Sequence, residues 1–187
     1  PNIRTSFPQL LGLRDLSSLL ESIVAKPIIE RSKGMIEEAK ELAKVFYPTE
    51  SYNQTLAKLH KYHFAVIEGP PEVGKTAIAN IIGLSLLSNE WDAYECLKPD
   101  DFFQLYSFER PQIFIADDAF GSTEYDPTNS NLWAINLTRI IRKLDKKHWL
   151  IWTARKHILE MALQKMRLQG KAENFPEPGA ILVDAGN

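Results

Sequence analysis

The stretch Val66–Ile82, VIEGPPEVGKTAIANII, decides the fold. It fits the pattern G-x-x-x-x-G-K-[ST], with Gly69, Gly74, Lys75 and Thr76 at the fixed positions. In such a loop the glycines let the chain turn tightly, so that successive N–H groups point inward and cradle phosphates. Pro70, Pro71, Glu72 and Val73 fill the free positions, and Ala77 follows Thr76. The apolar run HFAVIE precedes the loop and TAIANIIGLSLL follows it. That order is strand, loop, helix, and the helix N-terminus adds its positive dipole end to the same anion site. Lys75 is then placed to reach the β- and γ-phosphates of a nucleotide, and the Thr76 hydroxyl to hold Mg2+. Glu72 sets a carboxylate in this loop, but at a position where the backbone N–H matters more than the side chain. The expectation is a glutamate pointing to solvent, with negative φ, because positive φ is uncommon outside Gly, Asn and Asp.

Two further stretches bear on the same site. QIFIADD, Gln112–Asp118, is an apolar run ending in two aspartates. In an open α/β sheet a buried strand delivers such groups at its C-terminal end, beside the phosphate loop. Asp117 is the candidate Mg2+ ligand, acting through water, and Asp118 the candidate general base for the attacking water. Glu124, in the loop beyond, is the fallback base. HWLIWTAR, His148–Arg155, is a second apolar run, ending in Thr153 and followed by Arg155. Thr153 is expected to bond the water or the phosphate, and Arg155 to sense the γ-phosphate with its charged fork.

Working outward, apolar strands alternate with helices: strands over 63–68, 93–97, 112–116 and 148–153, with a last one over 180–183. Helices are expected over 75–87, 100–108, 132–144 and 155–168, with a polar loop over 121–131. Alternation of this kind implies βαβ units and a parallel sheet, whose strands are buried on both faces. Residues 1–46 read as an N-terminal helical segment and 47–187 as the main domain. Ser18–Glu21 has capping-box form, and the helix it opens is expected to stop before Pro27. A second helix is expected over 29–46, and a short amphipathic one over 51–61.

The bulk numbers are those of an ordinary globular chain: 187 residues, 44% hydrophobic, 25% charged, formal net charge −2. No apolar run reaches the roughly 18 residues of a membrane span, and the expected address is cytoplasmic, without a membrane partner. The single cysteine, Cys96, is expected to be a packed thiol and excludes a multi-cysteine zinc site. Positions 139–171 hold ten Lys/Arg against two acids, a local excess that could serve nucleic acid.

Together FYPTESYNQTLAKLHKYHFAVIEGPPEVGKTAIA, QIFIADDAFGSTEYD and LDKKHWLIWTARKHILEMAL resemble the STAND class of P-loop NTPases, and within it the group called novel STAND NTPase 3. The resemblance covers about 46–168. It implies an ASCE-type three-layer α/β sandwich with a central, mostly parallel sheet of order 5-1-4-3-2. It also implies ATP or GTP with Mg2+, and a nucleotide-controlled switch that assembles or releases an effector, with a nucleotide-dependent oligomer possible, in a group found largely in bacterial conflict and defence proteins. Lys75 and Thr76 match the first nucleotide motif, Asp117 and Asp118 the second, and Arg155 the sensor arginine. Phe120, Gly121 and Ser122 match an aromatic-Gly-Ser/Thr element, displaced by Ala119. Lid, sensor and effector regions are not in this sequence and are expected as further or associated domains. The competing readings are a DNA-dependent motor or loader of the AAA+ kind, and a nucleotide-binding scaffold with little hydrolysis.

Overall fold

The structure is a computed structural model that describes residues 8–168 and 176–186. In chain order its elements are α1 (Pro8–Ala43), α2 (Glu50–Tyr62), β1 (Phe64–Glu68), α3 (Lys75–Leu87), β2 (Asp92–Glu95) and α4 (Pro99–Leu105). Then follow β3 (Gln112–Ala116), α5 (Pro127–Ile141), β4 (His148–Ala154), α6 (Lys156–Leu168), α7 (Pro178–Ile181) and β5 (Leu182–Asp184). The five strands form one sheet, β2-β3-β4-β1-β5, and every pairing is parallel. Counted from the β5 edge this is the order 5-1-4-3-2 that the resemblance implies.

Strand alternation divides the core between the two faces. Phe64, Val66, Phe114, Ala116, Leu150 and Trp152 point to one side, where α5 and α6 bring Trp133, Leu137, Ile158 and Ala162. Ala65, Ile67, Ile113, Ile115, Trp149 and Ile151 point to the other, where Met35 of α1, Leu59 of α2 and Ile78 and Ile82 of α3 meet them. The result is a three-layer sandwich. Trp152 is its centre, with Phe64, Phe120 and Trp133 edge-on at 4.9–5.2 Å. Cys96 is fully buried, and burial pushes its thiol pKa well up, as a packed thiol requires.

The helical segment departs from the sequence reading. The expected break before Pro27 is absent: α1 runs through it as one helix, with Ser18–Glu21 in its interior rather than at a start. An interior proline loses a backbone hydrogen bond and costs about 3 kcal/mol. Tertiary contacts offset that cost. Ile28, Met35 and Ala39 are buried, and α1 packs on α3, β2 and α4. The Ser32 hydroxyl donates to Ile28 O and accepts from the Glu95 N–H on the edge strand β2. Arg31 bonds Asp101 at 2.8 Å. α1 ends at Ala43, short of the expected 46. Gly34, in the exposed interior of this helix, has open space where a Cβ would stand. Gly34→Ala is therefore expected to stabilise the fold by about 0.5–1 kcal/mol, read as a higher midpoint in urea with unchanged slope.

Among the smaller differences, residues 127–131 are not loop. α5 starts at Pro127 because Asp126 caps it, accepting from the N–H groups of Thr128 and Asn129, with proline at the first helical position. α5 also stops at Ile141, before the expected 144. Among the described residues no helix is long and apolar enough to cross a membrane, and no cluster of acids, His or Cys could hold a metal ion by itself. His60 packs edge-on against Trp149, and His63 closes α2 with its N–H on Leu59 O.

Candidate functional site

Sheet register brings the three motifs to one place. β1 and β4 end together, Glu68 beside Ala154, and β3 ends two residues earlier, Ala116 beside Trp152, so that Asp117 and Asp118 follow at the level of the other two strand ends. The residues just beyond, the loop from Gly69, the Asp117–Asp118 pair and Arg155, are thereby gathered at the C-terminal edge of the sheet. This is where open α/β sheets take their ligands.

The loop from Gly69 to Gly74 passes directly into α3, whose first turn carries no acid. Gly74 is the N-cap at φ 86°, a left-handed conformation in which a side chain is strained. Glu72 has φ 65°, which corrects the expected negative φ. The loop's path sets this backbone angle, and the residue's own preference yields to it. Turns that alternate handedness in this way aim successive N–H groups at one point. The Glu72 side chain is exposed and stands on the rim of the cleft. Glu72→Gly is expected to leave stability unchanged or raise it by up to about 1 kcal/mol, while the β-branched Glu72→Val lowers it by about 1–2 kcal/mol. Equal melting temperatures for the two variants would contradict that account.

Lys75 is only 8% exposed, and its ammonium donates to Gly69 O at 3.1 Å and Pro70 O at 2.6 Å. Burial lowers its pKa, with Asp118 and Asp117 opposing the shift and Arg155 adding to it. The Thr76 hydroxyl lies 2.9 and 3.0 Å from the two carboxylate oxygens of Asp117. The Thr153 hydroxyl donates to the same carboxylate and accepts from the Asp118 N–H at 2.9 Å. Thr153 is fully buried, so its side chain holds the two aspartates in place instead of facing the cleft. Asp118 adopts φ 46° and turns to the other side of Asp117, into a cleft of about 490 Å³ that it lines with Lys75, Thr76, Ala77 and Arg155. Burial raises the Asp118 pKa, and Asp117 adds to this, while Lys75 and Arg155 pull it back.

A second cleft flanks the loop on its other side, between Gly69, Pro70 and Pro71 and the start of α6. Val73 is half-buried and packs toward Gly69, 3.2 Å from where a Cβ there would stand. Beyond the aspartates, Gly121 has φ 115°, and a Cβ on it would lie 1.9 Å from Glu124 O. The turn therefore needs glycine, and it leaves Ser122, Thr123 and Glu124 exposed and away from the cleft lining. Part of the basic segment is engaged with aromatics: Arg139 lies over Phe103, and Lys143 over Tyr106 and Phe108. Lys171 lies outside the described residues.

Sequence reasoning missed three residues of the site. Glu38 and Leu42, from α1, line the main cleft, and Asn80 of α3 lines it too. Asn80 was open to detection as a polar residue one turn after Thr76 in an otherwise apolar helix. The α1 wall was not, because it is a contact between distant parts of the chain.

A glycine loop between strand and helix, a lysine and threonine at its end, and paired aspartates on a neighbouring parallel strand define a P-loop NTPase-type domain. The family model described as Novel STAND NTPase 3 matches residues 46–185, and the chain belongs to that family. No curated protein matches the chain. Among solved structures, that of C. elegans PCH-2 is similar with TM-score 0.39 and 15% identity, over 83% of this chain and 41% of that one. The chain thus spans less than half the length of that protein, and the likeness carries no argument about function.

Proposed function

We propose that this chain binds ATP, or GTP in its place, together with Mg2+, and hydrolyses it slowly as the switch module of a larger signalling or defence protein. One observation carries the reading: Lys75, Thr76, Asp117, Asp118 and Arg155 converge from three motifs on one sheet edge. The loop N–H groups and α3 dipole would hold the phosphates, with Lys75 moving from the loop carbonyls onto the β- and γ-phosphates. Thr76 and Asp117 fit a Mg2+ site, since hydroxyl and carboxylate are the hard oxygen donors that ion takes and they already meet. Mg2+ when bound supplies charge neutralisation at the triphosphate. Thr153 holds Asp117 and the Asp118 backbone in register. Asp118 accepts the proton of the attacking water, and its raised pKa suits a base that must work near neutral pH. Arg155 reads the γ-phosphate. Residues 47–187 serve as the nucleotide domain and 1–46 as the link to further domains.

Single-turnover hydrolysis of Mg-ATP by the purified chain tests this. Slow product formation that requires Mg2+ supports the reading. Binding without turnover would make the chain a scaffold, and no binding would end the proposal.

A further inference from the structure

Beyond Pro27, α1 carries four glutamates, and three are neutralised along the helix. Glu30 bonds Lys33, Glu37 bonds Lys40 and Glu41 bonds Lys44, each three residues on. Glu38 is the exception. Its neighbours three and four residues away are Met35, Gly34, Glu41 and Leu42, so the helix offers it no cation. Among the described residues it has no ion-pair partner, and it lines both the main cleft and an adjoining chamber of about 300 Å³.

Asn80 is the second observation. It is 4% exposed, and its carboxamide makes no hydrogen bond with a described residue. Its amide is not among the fully buried polar atoms left without a partner, so it faces the cavities, where a bound water can bond it. Asn80 lies one helical turn beyond Thr76 on the same face, and it too lines both cavities. The chamber between Glu38 and Asn80 opens on Thr76 and Asp117, the pair proposed to hold the cation. Its remaining charged walls, Arg31 and Glu95, are paired with each other at 3.8 Å, and Arg31 also bonds Asp101.

We propose that Glu38 and Asn80 are positioning residues for the nucleotide-bound cation, acting through its water shell, and that Glu38 thereby couples α1 to nucleotide occupancy. This rests on the nucleotide reading above. Water held by a cation is a strong hydrogen-bond donor, and a carboxylate and an amide oxygen are its acceptors. Supporting groups of this kind typically change metal affinity by about 10–100-fold when removed. Because Glu38 stands on α1 and Asn80 on α3, the contact closes only while α1 is docked.

The test compares ATP affinity with saturating Mg2+ and in EDTA, for the whole chain and for Glu38→Gln and Asn80→Ala. The expected result is that each variant loses about tenfold or more of the gain that Mg2+ confers, with little change in EDTA. Amide exchange across residues 28–43 should slow on adding Mg-ATP to the parent chain, and slow less in Glu38→Gln. If the parent binds Mg-ATP but both variants keep its full Mg2+ gain, the proposal fails and the nucleotide reading stands. If the parent binds no nucleotide, both fall. Because Glu38 is exposed, Glu38→Gln keeps the test decisive even where Asn80→Ala disturbs the core.

Discussion

Lys75→Ala is expected to weaken Mg-ATP binding by at least about 100-fold, and in practice to abolish it. The ammonium is held at the loop by two carbonyls, so it has only to turn from them onto the phosphates when the ligand arrives. Charge-assisted bonds to phosphate are worth about 1.5–3 kcal/mol each, and two of them amount to a loss of two orders of magnitude or more. Folding should survive, because what remains is a pair of loop carbonyls beside the exposed rim, where water can reach them. Circular dichroism and calorimetry on the same preparation check both halves. Native folding with undiminished binding would remove Lys75 from the site.

The second large effect concerns chemistry rather than binding. Asp118→Asn should lower the hydrolysis rate by about 100-fold or more, the usual contribution of a positioned general base. Nucleotide affinity should hold or tighten, since a negative charge beside the phosphates is removed. The pH dependence carries a sign that can be worked out. A base is active when deprotonated, so the parent rate rises with pH through the Asp118 pKa. Burial and the neighbouring Asp117 set that pKa above the ordinary aspartate value. The inflection should therefore fall above pH 3.8, and it should vanish in the variant. An unchanged rate with an unchanged profile would pass the role of base to another group. Glu124 is a poor candidate, because the Gly121 turn leaves it away from the cleft.

The central sheet was legible because parallel strands buried on both faces appear as apolar runs, and FAVIE, QIFIA and HWLIWTA are such runs. The phosphate loop was legible for a different reason: tight turns and close approach demand glycine at set spacings. Once those two were placed, register carried Asp117, Asp118 and Arg155 to the same edge. What escaped was non-local. Pro27 signals a helix end to any local rule, yet packing and hydrogen bonds further along α1 keep it helical. Glu72 obeys the loop rather than its own φ preference. Thr153 looked like a phosphate contact by position, and its hydroxyl is spent on the two aspartates. The start of α5 was readable from Asp126 and Pro127, but apolar periodicity begins only at Leu132 and drew the boundary there.

A structure of the chain with Mg2+ and a non-hydrolysable ATP analogue tests the central claim most directly. The account predicts the triphosphate within the loop 69–76, with Lys75 Nζ moved off Gly69 O and Pro70 O and onto the β- and γ-phosphates. It predicts the Thr76 hydroxyl released from Asp117 and directed at the cation. An analogue bound elsewhere, with Lys75 still on its two carbonyls and Thr76 still on Asp117, would contradict it.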